Sequence, residues 1–89
     1  MYNIIFYLEE CDFIIKQETK ITNAIQVTHS LENTETRKRE IEGLIDALNC
    51  YNLKEGTILT EWEEDVENVK INKKTLKINI IPIWKWLIF

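Results

Sequence analysis

Two acidic side chains near the N-terminus have a spacing that suits metal binding. Glu10 and Asp12 are separated by a single residue, next to two apolar, strand-like runs. Side chains two residues apart in a strand point to the same face. Two carboxylates on one face could share a cation such as Mg²⁺, because carboxylate oxygens are its natural ligands. The alternative is that Asp12 only accepts hydrogen bonds or pairs with a lysine.

Four lysines near the C-terminus form a candidate nucleic-acid-binding patch, namely Lys70, Lys73, Lys74 and Lys77. Lysines on a hairpin could contact the phosphates of a nucleic acid. They equally suit the solubility of an exposed hairpin and the protection of an edge strand. The single histidine, His29, has no second histidine, cysteine or acid at zinc-binding spacing, so we expect no zinc site.

Two tryptophans near the C-terminus form a candidate interface. Trp84 and Trp86 are two residues apart, so they cannot share one face of a helix. We expect one of them to lie in the core and the other to cover a partner surface, because aromatic residues are enriched at interfaces. This pattern predicts a protein partner or self-association.

The composition bounds the remaining possibilities. The chain has 89 residues, of which 45% are hydrophobic and 29% charged, as expected for one globular domain. Its net charge of −4 disfavours a general nucleic-acid binder. No phosphate-binding glycine loop is present, so nucleotide hydrolysis by that route is not expected. No signal peptide and no membrane span is evident, which predicts a cytoplasmic protein without membrane contact. Cys11 and Cys50 are expected to be buried free thiols.

The elements that would position these residues can be predicted from periodicity and turn signals. Apolar residues recur at Ile41, Leu44, Ile45 and Leu48, which predicts an amphipathic helix from residue 33 or 34 to about 49. A short helix is expected to begin at Pro82. Strands are predicted over residues 2–8, 11–16, 20–28, 57–60, 66–71 and 75–81. The first three form an antiparallel meander, and a right-handed crossover through the helix places the fourth parallel to the third. This is an α/β fold with a mixed sheet of five or six strands.

Five phrases taken together resemble the C-terminal domain of a group of prokaryotic AAA-type ATPases. They are ECDFIIK (10–16), AIQV (24–27), ETRKREI (35–41), TILT (57–60) and IIPIWKWL (80–87). That domain is related to the restriction-endonuclease-like, PD-(D/E)XK fold. The resemblance covers residues 3–87. The ATPase part and the helix that normally precedes the first strand are not in this sequence, so we expect a fragment, a truncated gene or a stand-alone relative.

The resemblance also implies roles for three positions. Nucleases of this fold hold Mg²⁺ or Mn²⁺ with carboxylates on neighbouring strands, and the metal activates the attacking water. Asp12 matches the first acid, Gln26 stands where the second acid should be, and Thr28 stands where a lysine should be. An amide brings no negative charge to a metal, and a hydroxyl cannot replace an ammonium group.

These substitutions favour a degenerate, non-catalytic nuclease-like module for protein–protein or subunit contact, with no cofactor. The alternative is a Mg²⁺- or Mn²⁺-dependent DNA nuclease that uses Asp12 with Glu10 and Gln26. A third hypothesis is a stand-alone fragment with no selected role, which would fold poorly on its own. Fold resemblance alone does not decide between them.

Overall fold

The structure, a computed structural model, describes residues 2–6, 13–17 and 19–88. Within these residues there are six strands and two helices. In chain order they are β1 (Tyr2–Phe6), β2 (Phe13–Gln17), β3 (Lys20–Val27), α1 (Thr34–Cys50), β4 (Glu55–Thr60), β5 (Asp65–Ile71), β6 (Lys74–Pro82) and α2 (Ile83–Ile88).

The described strands form one mixed sheet in the order β1-β2-β3-β4-β6-β5. Strands β1, β2 and β3 pair antiparallel, which confirms the predicted meander. Strand β4 pairs parallel to β3, as expected for a crossover through α1, and β6 pairs parallel to β4 on its other side. Strand β5 forms an antiparallel hairpin with β6 at the edge of the sheet. The predicted α/β class is therefore confirmed, with one main helix and a short C-terminal helix.

Helix α1 covers one face of the sheet. It buries Ile41, Leu44, Ala47 and Leu48, which closely follow the predicted helical spacing. These side chains pack on every second residue of the strands below them, because alternate residues of a strand share a face. The strand residues of this core are Ile14, Ala24, Ile58, Leu76, Ile78 and Ile80.

Both ends of α1 have recognisable capping interactions. The Asn33 side chain accepts hydrogen bonds from the backbone N–H groups of Glu35 and Thr36, at 2.9 and 3.1 Å. At the other end Asn52 adopts a left-handed backbone with φ of 56°, and the Leu53 N–H donates to the Leu48 carbonyl at 2.8 Å. Asparagine tolerates this conformation, so the helix ends without a glycine.

We expect Asn33→Ala to destabilise the domain by about 1 kcal/mol, because two backbone donors at the start of α1 lose their acceptor. Urea denaturation followed by circular dichroism would measure the change in the free energy of unfolding. The matched control is Glu32→Ala, at an exposed neighbouring position outside the helix. An unchanged stability in Asn33→Ala would contradict the assigned cap.

Three details of the predicted elements need correction. Pro82 does not begin the terminal helix but ends β6, where it pairs with Thr60. A proline fits the last position of a strand because the ladder no longer needs its missing N–H. The strand predicted over residues 66–71 begins one residue earlier, because Asp65 is the first residue of β5. Cys50 is the last residue of α1 and is exposed, not buried.

Gly56 allows α1 to lie close to the sheet. A methyl group added at this β4 residue would lie 3.0 Å from Leu44 Cδ1 and 3.0 Å from Leu48 Cδ2. Few real contacts of a Cβ are so short. The absence of a side chain at this position therefore sets the distance between helix and sheet.

Candidate functional site

Gln26 lies on the face of β3 that α1 covers, and it is 6% exposed. Its side-chain nitrogen donates a hydrogen bond to the Glu40 carboxylate of α1 at 2.9 Å, and a longer one to the Glu40 carbonyl at 3.4 Å. The Gln26 amide thus joins β3 to α1. A buried polar group needs such a partner, because an unpaired one would cost folding free energy.

The two predicted metal-binding carboxylates, Glu10 and Asp12, lie outside the described residues. The register near them is nevertheless defined, because Phe13 pairs with Ile25, the residue that precedes Gln26. Across the part of the chain that the structure describes, no group of three or more histidine, cysteine, aspartate or glutamate side chains could hold a metal ion. Thr28, which the resemblance aligns with a lysine, donates its backbone N–H to the Leu59 carbonyl at 2.9 Å.

The four predicted nucleic-acid-binding lysines are all exposed, but the structure divides them between two places. Lys70 pairs with Thr75, and Lys77 pairs with Asn68. Because Lys77 alternates with the buried Leu76 and Ile78, the Lys77–Asn68 pair lies on the sheet face away from α1. Lys70 belongs to the same face.

Lys73 and Lys74 lie instead at the tip of the hairpin, beside the C-terminal end of α1. They line two adjoining grooves of about 320 and 400 Å³, and Lys54 lines the first of these. The last turn of α1 contains no basic residue. The negative end of the helix dipole therefore explains these three lysines without a ligand.

The acidic residues after β4 make specific contacts. The Glu63 carboxylate accepts the Leu31 N–H at 2.8 Å, and the Glu63 carbonyl accepts the Thr60 hydroxyl at 2.8 Å. Glu61 lies 2.7 Å from the His29 imidazole. These contacts join the segment after β3 to the segment after β4. Sequence reasoning missed the contacts of Glu63 with Leu31 and of Glu61 with His29 because these partners are distant along the chain.

Arg37 similarly joins α1 to the edge strand β5. Its guanidinium group lies 2.8 Å from the Glu67 carboxylate and 3.3 Å from the Asp65 carboxylate. These ion pairs place Arg37 in a salt-paired surface.

Helix α2 exposes a wholly apolar face. Trp84, Leu87 and Ile88 have the i, i+3, i+4 spacing of one helical face, and they are 52%, 70% and 69% exposed. Lys85 and Trp86, on the other side of α2, are half-buried. Trp84 faces outward, as expected for one of the two tryptophans. Trp86 is half-buried and no residue of α2 is fully buried, so the expectation that the other tryptophan lies in the core is wrong.

Other exposed apolar side chains lie at the same end of the sheet. Thr60 pairs with Pro82, so the loop after β4 and helix α2 begin side by side. The Lys85 ammonium group contacts the Glu64 carboxylate and joins the two. Together these features define a surface that we name the α2 surface. Its members are Trp62, Val66, Ile83, Trp84, Leu87 and Ile88, each at least 41% exposed.

Comparison with known proteins gives one relative. The chain is 35% identical, over 91 aligned positions, to the uncharacterized protein MJ1544 of Methanocaldococcus jannaschii. The match covers 92% of this chain but 19% of the relative, so the chain spans about a fifth of the relative's length. No protein-family model and no solved structure matches the chain. Neither of the described helices is long and apolar enough to cross a membrane.

Proposed function

We propose that the chain is a non-catalytic module of restriction-endonuclease-like fold that binds a protein partner through the α2 surface. The observation that carries this proposal is the exposed apolar face of α2. The proposal includes action in the cytoplasm and requires no metal, cofactor or nucleotide.

The degree of exposure is unusual for a surface that meets only water. Monomeric proteins seldom expose contiguous apolar patches larger than a few hundred Å², and larger patches mark interaction sites. Tryptophan is among the residues that dominate binding energy at interfaces. Trp62 and Trp84 are 75% and 52% exposed at the same end of the sheet. Folding of the single chain does not explain why these two tryptophans are exposed, whereas burial against a partner would.

The non-catalytic part of the proposal rests on Gln26 and Thr28. A metal-dependent nuclease needs charged ligands that hold the cation and an ammonium group that stabilises developing charge. Gln26 brings a neutral amide, which is held by Glu40. Thr28 brings a hydroxyl group in place of the ammonium. A domain that has the strands of the nuclease fold but lacks the charges of the second acid and the lysine suits a binding role.

The topology and the relative support a module that works within a larger assembly. Three antiparallel strands, a helix and a parallel strand occur in the order that the resemblance to the ATPase-associated domain implies. The matched part of the archaeal relative is likewise one segment of a longer chain. In that setting the α2 surface would contact another domain or subunit.

A pair of substitutions tests whether α2 has one binding face and one structural face. We expect Leu87→Lys to change the free energy of unfolding by less than about 0.5 kcal/mol, because the side chain is mostly exposed. Trp86→Ala should cost about 1–3 kcal/mol, because Trp86 is half-buried. Thermal unfolding by circular dichroism at low concentration would measure both. Equal losses in the two variants would assign the outward face to the core and contradict the proposal.

The nuclease alternative has one observation in its favour. The Glu40 carboxylate lies 2.9 Å from the Gln26 amide, so an acid from α1 is next to the position of the missing one. Under this alternative Glu10, Asp12 and Gln26 would hold Mg²⁺ or Mn²⁺, with Glu40 beside them.

Calorimetric titration with Mn²⁺ separates the two functions. We expect the wild type and Asp12→Asn to give the same result, with no saturable heat at millimolar metal and no cleavage of duplex or branched DNA. Saturable binding that disappears in both Asp12→Asn and Glu40→Gln would instead support the nuclease and overturn the non-catalytic proposal.

A further inference from the structure

We infer that the occupant of the α2 surface is a second copy of this chain, related by a two-fold axis that brings the two α2 helices together. This inference rests on the proposed function and names its partner. Its basis is the area of the surface, its local charge balance and the nature of the competing edge of the sheet.

The exposed apolar area matches what a stable dimer needs. A large aromatic side chain contributes about 150–250 Å² when fully exposed. With the observed exposures, the six side chains of the α2 surface present on the order of 700 Å². A standard interface buries roughly 800 Å² on each partner. Fully buried against a second copy, this area would approach what one partner contributes to a standard interface.

The charges on this surface are compatible with self-association. The whole chain carries a net charge of −4, which would make two random surfaces repel. On the α2 surface, however, the one lysine of α2, Lys85, is already paired with Glu64. Because one positive and one negative charge lie side by side, a two-fold axis could place each Lys85 near the Glu64 of the second copy. The interface would then carry no excess of either charge. An isologous interface requires such self-complementarity.

Strand β5, one of the two edge strands of the described sheet, could also pair with a second copy, and its sequence argues against that role. It carries Asp65, Glu67 and Lys70. The two carboxylates among them form ion pairs with Arg37. Charged side chains on an edge strand oppose sheet-to-sheet association. The outward face of α2 has no charged residue, so it is favoured over β5 as the contact.

Sedimentation velocity over a range of concentrations tests the inference. We expect the wild type to reach twice the chain mass at micromolar to hundred-micromolar concentrations. Leu87→Lys should weaken self-association by at least about tenfold, because a charge would enter the centre of the apolar contact. Ile88→Lys is the second variant. The matched control is Thr75→Lys, which adds the same charge at an exposed residue near the opposite end of β6. A wild type that stays monomeric, or equal weakening by Thr75→Lys, would overturn the inference.

A photo-crosslinker separates failure of this inference from failure of the proposed function. The full chain would carry p-benzoylphenylalanine in place of Leu87 and be illuminated both purified and in the cells that make it. A crosslinked product of twice the chain mass, lost in Ile88→Lys, supports the second copy. A crosslink only to a different protein overturns the second copy and leaves the proposed function standing. A monomer with no crosslink in either setting overturns both.

Discussion

Replacing Gly56 with valine should destabilise the domain by about 1–3 kcal/mol, the usual cost of forcing extra volume into a packed core. The Cβ alone would lie 3.0 Å from the side chains of Leu44 and Leu48 of α1, which is closer than ordinary van der Waals contact, and valine adds two further methyl groups. Both leucines are fully buried and cannot move aside into solvent. Urea denaturation would show a lower midpoint with an unchanged slope, which is the sign of lost stability and not of a changed unfolded state.

The physical cause of this loss can be isolated by a double-mutant cycle with Leu44→Ala. That single substitution should itself cost about 2–5 kcal/mol, because it leaves a cavity in the core. In the double variant the valine would occupy part of the cavity. The combined loss should therefore be smaller than the sum of the two single losses by at least about 0.5 kcal/mol. Strict additivity would contradict the close contact between Gly56 and α1.

Much of this fold could be predicted from local patterns. The apolar spacing from Ile41 to Leu48 indicates a helix, and Asn33 marks where it begins. The short links between the first three strands indicate a meander, and the helix between β3 and β4 requires a parallel pair. Each of these conclusions depends on residues that are close together in the sequence. The end of β6 was less predictable, because a proline suits both a helix start and the last residue of a strand.

The candidate site was less accessible to sequence reasoning, because its contacts join distant residues. Gln26 and Glu40 are 14 residues apart, and Leu31 and Glu63 are 32 apart. No local pattern indicates which acid a buried amide will contact. The tryptophans show the same limit. Their spacing requires opposite faces of α2, but only the packing of α2 on β4 and β6 shows that Trp84 is the outward one.

Replacing Gln26 with glutamate should destabilise the domain by about 2–3 kcal/mol at pH 7, because a buried charge would face the carboxylate of another acid. In the wild type the Gln26 amide donates to Glu40 at 2.9 Å. The variant loses that donor and sets two negative charges at the same distance. Chemical denaturation of the wild type and Gln26→Glu at several pH values would measure the difference in free energy of unfolding.

The pH dependence of this difference has a definite sign. Repulsion and burial would raise the pKa of the carboxyl pair in the folded state above the ordinary value of about 4.3 for an unfolded glutamate. The unfolded variant then binds fewer protons than the folded one over this interval. The loss of stability should therefore be small near pH 4 and grow as the pH rises through the raised folded pKa.

A swap of the two groups provides the matched control for this prediction. The double variant Gln26→Glu with Glu40→Gln again places one amide against one carboxylate, with the donor on α1 and the acceptor on β3. It should recover a large part of the stability lost in Gln26→Glu and remove most of its added pH dependence. No recovery would show that the loss comes from burial of a charge on β3 alone. In that case the hydrogen bond to Glu40 would not determine which side chain is tolerated at position 26.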